Sequence, residues 1–137
     1  MSSNKIDPAT RDRLLASARQ AMGHAYAPYS NFRVGAAILT GDGQVFTGCN
    51  VENASYGLTI CAERNAIFAA VAAGDPKSKL VIQAVAVTNS QDAACAPCGA
   101  CRQVIAEFGR DAAIFYHSPE GIKEQSLAEL LPDCFSL

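Results

Sequence analysis

An α/β fold is predicted by two features of the sequence: strand-like apolar runs alternate with helical patterns through its middle, and proline, glycine and aspartate punctuate the junctions. Half of the 137 residues are hydrophobic and 18% are charged, the balance of an ordinary globular chain rather than a disordered or fibrous one. No repeat, low-complexity tract or long linker divides it, so one domain over residues 1–137 is expected. At this length folding hides roughly two-thirds of the surface, enough for a core without disulfide staples.

Asp7 followed by Pro8 predicts a helix cap with proline in the first turn. Leu14, Ala18, Ala21, Met22 and Ala25 then share one helical face, and Pro28 ends the pattern. VGAAIL at 34–39 and QVFTGCN at 44–50 read as the strands of a hairpin turned by Gly41, Asp42 and Gly43. A second helix is expected from about Cys61 to Ala73, closed by Gly74, Asp75 and Pro76. LVIQAVAVT at 80–88 has the apolar continuity of a buried strand. Pro97 can open a third helix, whose apolar positions Cys101, Val104, Ile105 and Phe108 recur at helical spacing before Gly109 stops it. AAIFYH at 112–117 is the next strand, and Ser126 with Glu129 has the spacing of a capping box for a last helix reaching Leu131, before Pro132.

Strands joined by helical crossovers in one sheet are normally parallel, and such sheets bind ligands beyond the carboxyl ends of their strands. That edge should collect Asn50 and Glu52, which follow a strand, Cys61 and Glu63, which open one helix, and Cys98 and Cys101, which open another.

Composition narrows the partners. With a net charge of −2 and eleven scattered basic residues, the chain lacks the basic face that nucleic acid requires, and a small neutral or weakly charged ligand fits better. MSSNKIDPATRDR at the start has no apolar secretory stretch, and AIFAAVAA at 66–73 is far short of a bilayer span. A cytoplasmic protein without membrane or nucleic-acid partners is expected. In a reducing setting six cysteines are metal ligands, catalytic groups or core residues more readily than disulfides.

Cys98 and Cys101 form a C-x-x-C pair at a helix start, one turn apart on one face, where the helix terminus favours thiolate. Alone, such a pair suits zinc or a redox dithiol. Cys61 tips the balance to metal, because its helix should point at the same edge and three thiolates make three legs of a tetrahedron. A catalytic zinc site leaves the fourth position to water, whereas a structural one closes it with protein. Cys49, Cys134, His24 and His117 are available in principle, but none is paired. Glu63, two positions after Cys61, is placed beside the metal rather than on it, where a carboxylate can carry a proton; the plainer alternative is a first-turn glutamate that only complements the helix dipole. Cys95 would extend the set towards an iron–sulfur motif, but RQVIAE at 102–107 lacks the next cysteine and proline, so it reads as an ordinary small residue.

CAER at 61–64 and PCGACRQ at 97–103, taken together, resemble the zinc-dependent cytidine deaminases of the small, homotetrameric type. PYSNFRVGAAI at 28–38, FTGCNVENAS at 46–55, CAERNA at 61–66 and LLPDCF at 130–135 have counterparts in the same order, so the resemblance covers nearly the whole chain. It implies a cytidine deaminase-like three-layer α/β/α sandwich with a mixed sheet of about five strands, one Zn²⁺ per chain on Cys61, Cys98 and Cys101, and a homotetramer in cytoplasmic pyrimidine salvage. The wider deaminase signature is H-x-E with P-C-x-x-C. Cys61 takes the histidine position here, as in the tetrameric type. Three thiolates and one Zn²⁺ leave one net negative charge, which Arg64, by resemblance a donor to a cysteine sulfur, can offset.

The implied reaction is hydrolytic loss of ammonia from cytidine or 2′-deoxycytidine: activated water attacks C4 while Glu63 moves the proton to N3 and then to the departing amino group. By the same resemblance Phe32 packs on the base, Asn50 and Glu52 bind the ribose, the Ala62 main chain meets the base edge, and Phe135 reaches a neighbouring subunit's pocket. A deaminase of another aminopyrimidine nucleoside, such as blasticidin, is the alternative within the chemistry; outside it stand a zinc-stabilised binding module and an iron–sulfur carrier.

Overall fold

The computed structural model describes residues 5–137. Its elements follow in the order α1 (Pro8–Met22), β1 (Val34–Thr40), β2 (Val45–Cys49), a 3-10 turn (Tyr56–Leu58), α2 (Ala62–Ala73), β3 (Ile82–Asn89), α3 (Gly99–Phe108), β4 (Ala113–Ser118), β5 (Gly121–Ser126) and α4 (Leu127–Leu130). Asp7 caps α1 by accepting the Thr10 N–H at 2.7 Å, with Pro8 at the first turn. Ser126 and Glu129 form the expected capping box on α4. Helix α1 stops at Met22 rather than running towards Pro28, so Ala25 is buried but not helical. Gly23 ends it, and the chain turns so that Tyr26 bridges Val51, donating to the Asn50 carbonyl and accepting from the Glu52 amide.

The five strands form one mixed sheet in the order β2-β1-β3-β4-β5. Strand β1 is antiparallel to both β2 and β3, while β3 and β4 are parallel. Strands β2, β3 and β4 therefore point the same way, as their helical crossovers predict, with β1 reversed between the first two. Side-chain alternation gives the sheet two apolar faces. Ala37, Leu39, Ala84, Ala86, Ala113 and Phe115 pack beneath Leu14 and Ala18 of α1. Ala36, Ile38, Val85, Val87, Ile114 and Tyr116 pack against α2, α3 and α4 through Ala66, Ile67, Ile105 and Leu127. Three layers result. Among the described residues no helix is long and apolar enough to cross a membrane.

Close approach of backbone to backbone sets the helices on the sheet. A Cβ on Gly48 of β2 would lie 2.4 Å from the Ala66 nitrogen and 2.6 Å from the Ala62 oxygen, so only glycine lets the start of α2 sit this near the end of β2. Asn65 completes the joint by donating to the Cys49 carbonyl at 2.8 Å.

Candidate metal centre

The carboxyl ends of β2, β3 and β4 fall on one edge, and α2 and α3 begin there. Cys61 is the N-cap of α2 and Cys98 the N-cap of α3, both with extended backbone and neither side chain capping its helix. The sulfurs therefore meet the positive ends of two helices without being consumed as caps. Cys101, one turn into α3, is fully buried. The three sulfurs lie within 4.8 Å of one another, and those of Cys61 and Cys98 are 3.9 Å apart.

These distances fit a tetrahedral zinc: with zinc–sulfur bonds of about 2.3 Å, neighbouring sulfurs stand about 3.8 Å apart. They are too long for a disulfide, and all six cysteines are free. Among the described residues no further histidine, cysteine or carboxylate joins this group, so three side chains are placed where they could hold a metal ion. Of the spare candidates, Cys49 and Cys134 stay outside it, and His117 is hydrogen-bonded to Thr88 at 2.9 Å on the α1 face. Cys95 is exposed, its amide donating to the His117 carbonyl, and it too stays outside.

Arg64 places its guanidinium 3.3 Å from the Cys61 sulfur. Its Nε is buried without a hydrogen-bond partner, so the guanidinium charge rests against the Cys61 sulfur. In the metal-free site Cys61 is pulled down to about 5, chiefly by the Cys101 thiol donating to it and then by Arg64, against burial. Cys101 is pushed up because it keeps the proton it donates. Arg64 is pushed up in turn, first by its bond to Cys61. Glu63, only 5% exposed, has its carboxyl raised to about 7, mainly by burial, with the Cys61 charge adding and its own amide opposing. A carboxyl poised there can both take and give a proton near neutrality.

Phe32, Asn50 and Glu52 come together in a second group on the strand-end loops. Asn50 donates to the Phe32 carbonyl at 2.8 Å and accepts the Val34 amide at 2.9 Å. Glu52 accepts the amides of Tyr29 and Ser30 and the Ser30 hydroxyl, and the hydroxyl first among these holds its carboxyl below the usual range. Ala62 is buried at the first position of α2. Phe135 joins neither group: it is 70% exposed, and its carbonyl accepts from Gln103 of α3 at 3.3 Å.

Sequence reasoning missed the residues that hold these groups in place. Gly48 and Asn65 dock α2 on β2. Arg102 ties α3 to both sides, donating to the Pro97 carbonyl at 2.7 Å and the Leu130 carbonyl at 2.9 Å. Only Gly48 carried a visible signal, a glycine inside a strand pattern. A cleft of about 560 Å³ lies at the opposite edge between Gln44, Phe46, Val71, Lys79, Val81 and Phe108, and no cysteine lines it. It offers none of the chemistry gathered at the strand ends.

The sequence profile of the family described as "Cytidine and deoxycytidylate deaminase zinc-binding region" matches residues 8–117. A protein named cytidine deaminase from Sporosarcina psychrophila is 45% identical over 127 residues, covering 91% of this chain and 90% of its own. Another, from Halalkalibacterium halodurans, is 46% identical over 128 residues, covering 92% and 94%. Among solved structures, the cytidine deaminase from Burkholderia pseudomallei superposes with a TM-score of 0.80 at 48% identity, covering 90% of this chain and 98% of its own.

Proposed function

The chain belongs to the cytidine and deoxycytidylate deaminase family, and on that premise we propose that it is a zinc-dependent enzyme of pyrimidine salvage. It removes ammonia hydrolytically from cytidine and 2′-deoxycytidine to give uridine and 2′-deoxyuridine. The observation that carries this reading is the convergence of three sulfurs from two helix starts beside a buried glutamate.

When bound on Cys61, Cys98 and Cys101, one ion per chain, zinc supplies the Lewis acidity that brings the pKa of water towards neutrality. Glu63 accepts the proton released as water adds to C4 and delivers it to ring N3; it then takes the proton of the new C4 hydroxyl and passes it to the amino group, which leaves as ammonia as the C4 carbonyl forms. Arg64 offsets the excess negative charge of three thiolates. Phe32 packs on the base, the Ala62 main chain meets its edge, and Asn50 and Glu52 take the sugar hydroxyls. Residues 1–137 act as one domain of a cytoplasmic homotetramer, in which the exposed Phe135 enters a neighbour's pocket. Support comes from the exposure of that ring, the identity to named cytidine deaminases, and a net charge of −2 that does not favour a polyanionic partner.

The deciding experiment follows the ultraviolet change from cytidine to uridine for the wild-type chain and Glu63→Ala, with zinc measured in each. The wild type turns over; the variant keeps one zinc per chain and loses nearly all turnover, at least about a hundredfold. Substantial residual activity in the variant would remove Glu63 from its role.

A further inference from the structure

The two residues assigned to the sugar are already engaged by the loop that carries Phe32, and for Glu52 two of the three bonds come from one serine. Glu52 Oε1 accepts the amides of Tyr29 at 2.9 Å and Ser30 at 3.2 Å. Ser30 Oγ donates to Glu52 Oε2 and accepts the amide of Phe32 at 3.0 Å. An amide N–H can only donate, so the single hydroxyl hydrogen of Ser30 is committed to the carboxylate. The row has a direction, from the Phe32 amide through the hydroxyl to Glu52. A carboxylate offers about four acceptor positions. Three are occupied here, and the one remaining is on Oε2. Glu52 is 8% exposed, and its own amide is anchored to the Tyr26 carbonyl at 2.8 Å, so neither end of the residue is free to swing.

We propose that Ser30 is a positioning residue that sets sugar specificity: it leaves Glu52 a single acceptor direction for one sugar hydroxyl and ties that carboxylate to the backbone of Phe32 beneath the base. This rests on the nucleoside reading of the site. Truncating Ser30 releases Oε2 and the Phe32 amide, while the two amide bonds at Oε1 still hold the loop. Ser30 is itself exposed, so its truncation opens no cavity.

The test uses zinc-loaded wild type, Ser30→Ala and Ser30→Thr. For each, KM and kcat are measured for cytidine, together with the inhibition constant of 2′,3′-dideoxycytidine and the thermal unfolding midpoint. Ser30→Ala is expected to raise the cytidine KM about tenfold, equivalent to about 1.4 kcal/mol, with kcat and midpoint nearly unchanged. The dideoxy nucleoside, which offers Glu52 no such hydroxyl, should bind within about twofold of wild type, and Ser30→Thr should restore the cytidine KM. An unchanged KM, an equal loss for both nucleosides, or a threonine variant as impaired as alanine overturns the proposal. A wild-type chain that leaves cytidine untouched sinks the deaminase reading, and this proposal with it.

Discussion

Cys61 illustrates how a single side chain takes its character from its neighbours. The Cys101 thiol and the Arg64 guanidinium both stabilise its negative form and bring it to about 5 in the metal-free site. Thiolate absorbance of the metal-free chain should therefore persist as pH falls to about 5, and Arg64→Gln should move that midpoint upward. The consequence for stability has a definite sign. A depressed thiol contributes in full above its ordinary value of 9.0 and loses that contribution as pH falls towards about 5. Glu63 runs the other way: its raised carboxyl favours the fold below the ordinary 4.5 and loses this as pH rises through about 7. Between these limits the two oppose, so urea midpoints of the metal-free chain should vary little from about 5 to 7. Above about 7 only the Cys61 contribution is still growing, and stability should climb with pH towards 9.0.

Among the elements, the contact between β2 and α2 is the one on which the metal centre depends. Gly48→Ala forces a methyl within 2.4 Å of helix backbone, and relief requires α2 to move off the strand, carrying Cys61 away from Cys98. A loss of about 2–3 kcal/mol in urea unfolding and weaker zinc retention are expected. Gly57→Ala, with nothing within 4 Å, is the matched control and should be silent in both measurements. The pattern of what was readable follows from the same physics. Strands β1, β3 and β4 face core on both sides and announce themselves as apolar runs, and the three clustered cysteines stand out because each lies at or just inside a helix start. Strand β5, GIKEQS, went unread: it is an exposed edge whose Lys123 and Glu124 guard against further pairing, and only its ladder to β4 makes it a strand. The end of α1 was misplaced because the Tyr26–Val51 bridge that bends the chain away is a long-range backbone contact. Ser30, Asn65 and Arg102 escaped for a related reason, since each hydrogen-bonds to groups that folding alone brings near.

Over the whole molecule the metal joins what the sheet separates. Cys61 and Cys98 are 37 positions apart, with α2 and the central strand β3 between them. Binding that favours only the folded chain adds stability with free metal concentration, by about 4 kcal/mol when zinc exceeds its dissociation constant about a thousandfold. Chelation should therefore lower the thermal midpoint, added zinc should restore it, and Cys98→Ser should abolish the response. Neither half of the chain owns a complete ligand set: residues up to the turn at Gly74 bring one sulfur, and those beyond it bring two. Tight capture of the ion must wait until β3 has been laid against β1 and α3 has arrived beside α2. Metal uptake during refolding is thus a clock that strikes only after the elements carrying the three sulfurs have been brought together.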